Sequence, residues 1–154
     1  MLSEHPLFVP FGDEVLAGVV TLPDRPARGM VLLLQGLGAS SRAHKYRLWV
    51  RLAHRLADRG IATLRMDLPG MGDSTGALPS AVGELPTAEL RAMLEVACSA
   101  ARVDSFALAG QCFGAQAIFE LSTDVRCRGV AFILFDDPRY ILPQPGAATA
   151  PVTT

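Results

Sequence analysis

The chain lacks most of the features by which a sequence declares a partner. Its 154 residues carry 14 Lys and Arg against 15 Asp and Glu, a net charge of −1. Without a basic excess there is no electrostatic hold on a phosphate backbone, so no nucleic-acid partner is expected. The apolar runs, such as Met30–Leu34, are far shorter than the ~20 residues a bilayer span needs. The N-terminus, MLSEHPLFVP, has an early acid and a proline where a signal peptide has a basic start and an apolar core. A cytoplasmic location is the expectation. Cys98, Cys112 and Cys127 are odd in number and show no paired spacing, which argues against a disulfide framework or a zinc site. There is no G-x-x-x-x-G-K-[ST] stretch to cradle a nucleotide phosphate, and no metal or organic cofactor is implied.

What is present is a core-forming composition: 50% hydrophobic, 19% charged, mean hydropathy +0.31. That suits one domain of ordinary size. Leu7–Phe11 and Val15–Leu22 read as a hairpin around Gly12-Asp13-Glu14. The run 30–35 suits a strand buried on both faces. A helix follows over about 44–59, with Leu48, Leu52 and Leu56 at spacing four beside Trp49 and Ala53, and Gly60 as its stop. Residues 61–66 form a strand, and Thr87 caps a helix to about Ala101 with Leu90, Leu94 and Ala97 on one face. Phe106–Ala109 is a strand, 115–121 a helix and 130–135 a last strand. This alternation predicts an α/β domain over 1–142: a mostly parallel sheet with helices on both faces, an N-terminal antiparallel hairpin, and a flexible tail over 143–154.

The sharpest motif is Gly110-Gln111-Cys112-Phe113-Gly114, set between a strand and a helix. A nucleophile on so sharp a turn needs small residues on either side, and the helix start beyond it favours a thiolate. Gln35-Gly36-Leu37-Gly38 follows the first buried strand. An acyl-transfer site needs backbone N–H groups aimed at the developing oxyanion. Here those fall to Phe113, after the nucleophile, and to Leu37 or Gly38 in this loop. Gly36, Gly110 and Gly114 are the structural glycines of such a site. Asp67-Leu-Pro-Gly70-Met-Gly72-Asp73-Ser74 reads as a turn at the sheet edge.

This order of elements and motifs resembles the N-terminal part of the α/β-hydrolase superfamily over residues 5–140. It is most similar to bacterial hydrolases with an elbow cysteine that accompany exosortase and polysaccharide-synthesis genes. The stretches that carry the similarity are His44-Lys45-Tyr46-Arg47 with the following helix, Arg65–Ser74, Gly110–Gly114 and Phe135–Pro138. The resemblance implies a hydrolase acting on an ester or thioester of a small acyl substrate, with Cys112 as nucleophile and Asp136 as the acid. In the superfamily a histidine follows the acid, whereas His5, His44 and His54 all precede Cys112. His44, at the start of its helix, is the candidate base or substrate contact; His5 and His54 read as structural or exposed. The last family strands are expected to be missing. The alternative is a non-catalytic or incomplete hydrolase domain that binds an acyl ligand or a protein. An uncovered last strand also predicts self-association or a partner chain at that edge. Cys98 lies in a helix of small residues, and Cys127, between Arg126 and Arg128, reads as a turn cysteine without a function, the alternative being a redox or modification role.

Overall fold

Two strands and a tight turn open the chain in the computed structural model, which describes residues 2–36, 42–79 and 85–133. Strands β1 (Ser3–Phe11) and β2 (Glu14–Leu22) pair antiparallel, from Ser3↔Leu22 to Phe11↔Glu14. Glu14 enters the ladder, so the loop is the two residues Gly12-Asp13 rather than three. Gly12 takes φ 59°, a conformation that tight hairpins reserve for glycine at this position. β2 runs antiparallel to β4 (Ala62–Met66). From there β3 (Met30–Leu34), β5 (Phe106–Gln111) and β6 (Cys127–Ile133) continue the sheet in parallel, in the order β1-β2-β4-β3-β5-β6. The expected α/β architecture, with its antiparallel N-terminal hairpin, is the one observed.

Helix α1 (Leu48–Ala57) covers one face, where Trp49 and Ala53 pack on Leu33 and Ala109. Helices α2 (Thr87–Ala101) and α3 (Phe113–Leu121) cover the other. There Leu16, Leu32, Leu64, Met66, Leu90, Met93 and Ile118 are fully buried. Each such side chain contributes about 2 kcal/mol by leaving water. Coverage on both sides explains why β3 reads as an unbroken apolar run.

Local details differ from the sequence reading. The first helix begins at Leu48, not His44, because Tyr46 and Arg47 both adopt left-handed φ of 55°. Its buried face is Trp49, Val50, Ala53 and Ala57, so Leu48, Leu52 and Leu56 line the flank instead. Gly60 does close the helix, at φ 76°: Ile61 N–H donates to Leu56 O and Gly60 N–H to Ala57 O. Thr87 is the first residue of α2, and Pro86 stands in the capping position with no side-chain cap bond. Residues 143–154, expected to form the tail, lie outside the described residues.

Two charged clusters tie the layers together. Arg65 is only 4% exposed and donates to Glu4 Oε1 at 2.6 Å, an atom that Thr21 and His54 also reach at 3.2 Å. Burial pushes the Arg65 pKa down, and the Glu4 charge opposes it. At the far end of the sheet, Arg126 donates to both oxygens of Glu95 on α2 at 2.5 and 3.0 Å, to Asp124, and stacks over Phe106 at 5.5 Å. Hydrogen bonds from the Arg126 guanidinium, then from its backbone N–H, hold the Asp124 carboxyl well below the usual carboxylate range. Its stabilising effect is therefore complete above the ordinary value near ~3.9 and fades as pH falls towards the depressed one. Asp124→Asn should cost stability at about pH 5, and the gap to wild type should shrink at about pH 3 in urea titrations. A gap unchanged by pH would rule out an ionic contribution.

Among the described residues, the two outer strands of the sheet differ. β1 carries Pro6 and Pro10, which have no N–H to offer a neighbour, whereas β6 has no proline. Among the described residues, no helix is long and apolar enough to cross a membrane.

Candidate functional site

Cys112 occupies the turn between β5 and α3 with φ 53° and ψ −123°. For a residue with a side chain this backbone costs about 1–3 kcal/mol, and the surroundings must enforce it. They do so through the two glycines. A Cβ on Gly110 would lie 2.6 Å from Gly114 O, and one on Gly114 would lie 2.5 Å from Gln35 O and 2.7 Å from Leu34 O. The helix can start this close to β3 and β5 only because both positions lack a side chain. Ala115 N–H donates to Cys112 O at 2.9 Å, beginning α3 directly at the turn. Cys112 itself is exposed. Phe113, as the first helical residue, has no intrahelical acceptor for its N–H.

The loop after β3 comes up against this turn. A Cβ on Gly36 would meet Cys112 Cβ at 2.8 Å, Gln111 O at 3.3 Å and Cys112 Sγ at 3.4 Å. Gly36 has no unusual φ, so the constraint is space alone. Gln35 Nε2 donates to Met66 O at 3.0 Å and ties the end of β3 to the end of β4. Leu37 and Gly38 lie outside the described residues, as do Asp136 and Asp137.

His44 approaches from the segment before α1. Its Nε2 is hydrogen-bonded to Gln111 Oε1, the side chain immediately before Cys112, and its ring tilts against Trp49 at 5.1 Å. His44 takes φ 61°, close to the left-handed Tyr46 and Arg47. The sequence reading passed over Gln111. The only signal for it was its place inside the G-x-C-x-G motif.

The turn after β4 holds more than the sequence suggested. Asp67 is completely buried at the end of that strand. Its carboxylate accepts from Arg42 N–H at 3.0 Å, from the Arg42 guanidinium, and from Asp73 N–H at 3.1 Å. Arg42 also donates to Asp73 at 2.6 Å. Burial alone would lower the Arg42 pKa, but its bonds to Asp73 and Asp67 and their charges raise it. Ser74 Oγ donates to Asp67 O at 2.8 Å and accepts from Ala17 N–H at 2.9 Å. Gly70 and Gly72, at φ 69° and 54°, give the turn its path. One guanidinium therefore pins the loop after β3 to the loop after β4. Among the described residues, no three His, Cys, Asp or Glu side chains gather as a metal site.

The sequence matches the family described as the alpha/beta hydrolase fold over residues 29–133. The chain belongs to this family. Among curated proteins, none matches the sequence. Solved structures share the fold at low identity. An esterase from Pyrococcus furiosus is 22% identical with a TM-score of 0.69, over 86% of this chain and 50% of that one. A putative alpha/beta hydrolase from Agrobacterium tumefaciens is 21% identical with a TM-score of 0.69, over 93% and 66%. An alpha-beta serine hydrolase homologue from Coxiella burnetii is 20% identical with a TM-score of 0.63, over 83% and 61%. This chain spans half to two-thirds of their lengths.

The other cysteines and histidines stand apart from the turn at Cys112. Burial pushes the Cys98 thiol up to about 11, which keeps it protonated and inert. Cys127 Sγ donates to Gly129 O at 3.5 Å, while Arg126 beside it is engaged by Glu95 and Asp124. His5 bonds to Ser3 Oγ at 2.9 Å, and His54 to Glu4.

Proposed function

We propose that this hydrolase-fold chain performs acyl transfer from a small ester or thioester to Cys112. The observation that carries the reading is the strained backbone of Cys112, held against Gly36 with its side chain exposed. Strain of about 1–3 kcal/mol persists only where the surroundings enforce it, and residues held this way cluster at active sites. In the reaction, Cys112 Sγ attacks the carbonyl carbon and its proton passes to His44. The oxyanion receives the Phe113 and Leu37 N–H groups. Collapse expels the alcohol or thiol, which takes the proton from His44, and leaves a thioester on Cys112. Water then attacks that thioester, releasing the acid and restoring the thiol. Gln111, through its amide, holds the imidazole beside the turn. Asp136 is the candidate acid.

The test is intact-mass analysis after exposure to short activated esters, with ester consumption followed in parallel. Wild type should gain one acyl group and Cys112→Ala none. His44→Ala should slow acylation by about 10²- to 10⁴-fold. An adduct without turnover would assign the chain acylation but no deacylation. Acylation that survives Cys112→Ala would overturn the proposal, and folded protein with neither adduct nor turnover would leave the non-catalytic, ligand-binding reading. Cys112→Gly is an independent check. It should raise stability by about 1–2 kcal/mol by relieving the turn, while removing acylation.

A further inference from the structure

Two glutamines stand side by side where β3 and β5 end. Leu34 pairs with Gly110, so the next positions in the parallel register are Gln35 and Gln111, on the face where Leu33 and Ala109 receive Trp49. Their amides have different partners. Gln35 is completely buried and donates to Met66 O at 3.0 Å. Gln111 reaches the ring of His44, its Oε1 hydrogen-bonded to His44 Nε2. The backbone of Gln111 belongs to the sheet, paired with Ile133 of β6. That of His44 is held by Arg47 N–H, which donates to His44 O at 3.1 Å, and beside it Trp49 N–H donates to Ala43 O at 3.2 Å. Trp49, on α1, is completely buried, and its ring lies against the imidazole at an interplanar angle of 59°. The imidazole therefore has an anchor at one nitrogen and an aromatic wall beside it.

The chemistry of the anchor decides which nitrogen can take a proton. A carbonyl oxygen only accepts, so Nε2 carries the hydrogen of the contact. In a neutral imidazole the other nitrogen, Nδ1, is then the acceptor. An anchor seated on a strand fixes this choice more tightly than one on a loop. The anchor is also uncharged. A carboxylate in its place would favour the imidazolium and delay deprotonation to higher pH, whereas an amide orients the ring without that bias. Tyr46 and Arg47 before α1, and Cys112 after β5, are among the titratable residues of the same elements. A change at position 111 leaves each of them in place.

We propose that Gln111 is the positioning residue that selects the tautomer of His44: it keeps the hydrogen on Nε2, makes Nδ1 the atom that takes the Cys112 proton, and fills the orienting part of a triad acid without the charge. The proposal rests on the acyl-transfer reading for its rate measurement only. The state of the ring is read in protein without substrate.

The full chain is labelled with ¹⁵N in its histidine rings, and two-bond ¹H–¹⁵N spectra are recorded across pH for wild type, Gln111→Glu and Gln111→Leu. Circular dichroism checks each fold, and His44→Ala assigns the signals. His5 and His54, bonded to Ser3 and Glu4, are the internal controls. Neutral His44 in wild type should show its hydrogen on Nε2. Gln111→Leu should lose that preference and acylate at least about tenfold more slowly. Gln111→Glu should raise the His44 midpoint by about one pH unit or more, leave those of His5 and His54 in place, and move the acylation profile up with it. A wild-type His44 with its hydrogen on Nδ1, or a His44 midpoint that Gln111→Glu does not move in folded protein, would overturn the proposal. The expected ring behaviour in a wild type that takes up no acyl group would support the assignment of the ring and overturn the acyl-transfer reading instead.

Discussion

Gly114→Ala should destabilise the domain by about 3 kcal/mol or more, enough to unfold a marginal protein at room temperature. The added methyl would sit 2.5 and 2.7 Å from the carbonyl oxygens of Gln35 and Leu34, and 3.0 Å from Leu34 C. All three belong to the backbone at the end of β3 and have no rotamer to change. Relief requires α3 to lift from the sheet, which would also draw Cys112 away from Gly36. The matched control is Gly129→Ala, whose methyl meets nothing closer than Ala107 Cβ at 4.0 Å. That change should stay within about 0.5 kcal/mol. Urea titrations followed by far-ultraviolet circular dichroism compare the two directly. Similar midpoints would show that the helix start is not held against β3 as described.

Asp67→Ala is the second large effect, expected at about 3 kcal/mol. The lost carboxylate leaves the Arg42 guanidinium half-sheltered with only Asp73, and strips a partner from the Arg42 and Asp73 N–H groups. Arg42 keeps 27% of its side-chain surface in solvent, so water recovers part of the cost. Asp73→Ala removes the exposed member of the same trio, at 59%, and should change stability by less than about 1 kcal/mol. Because Arg42 ties the loop after β3 to the loop after β4, the Asp67 variant should also acylate more slowly than its remaining folded fraction accounts for. An Asp67→Ala protein as stable as the Asp73→Ala protein would remove Asp67 as the organiser of the turn.

The parts of this molecule visible in the sequence are those written locally. Helix α2 is found at Thr87–Ala101 because Leu90, Leu94 and Ala97 repeat at helical spacing. Gly110, Gly114 and Cys112 stand out because a turn this tight tolerates few residue types. The start of α1 is not legible locally, because Tyr46 and Arg47 look like ordinary helix residues and nothing in their chemistry signals a left-handed backbone. The start of β6 at Cys127 was hidden by Arg128 and Gly129, which break the apolar pattern where the register against β5 shifts. Leu48, Leu52 and Leu56 drew attention from Trp49 and Ala53, although the sheet surface of Leu33 and Ala109 accepts the latter pair. The Asp67–Arg42 tie and the His44–Gln111 contact join residues 25 and 67 positions apart. Such meetings depend on how loops are gathered above the sheet, and no local pattern encodes them.

The placement of β2 has a consequence for how the chain is made. Its inner edge pairs with β4, and the 39 residues between Leu22 and Ala62 must be synthesised before that partner exists. At about 5–20 residues per second, the hairpin waits roughly 2–8 s with the buried side chains Leu16 and Val20 uncovered. A hairpin itself closes in microseconds. Pro6 and Pro10 guard its outer edge throughout this interval, but nothing guards the inner one. Misassembly during translation should therefore begin at β2, between neighbouring nascent chains, before any of the parallel core has formed.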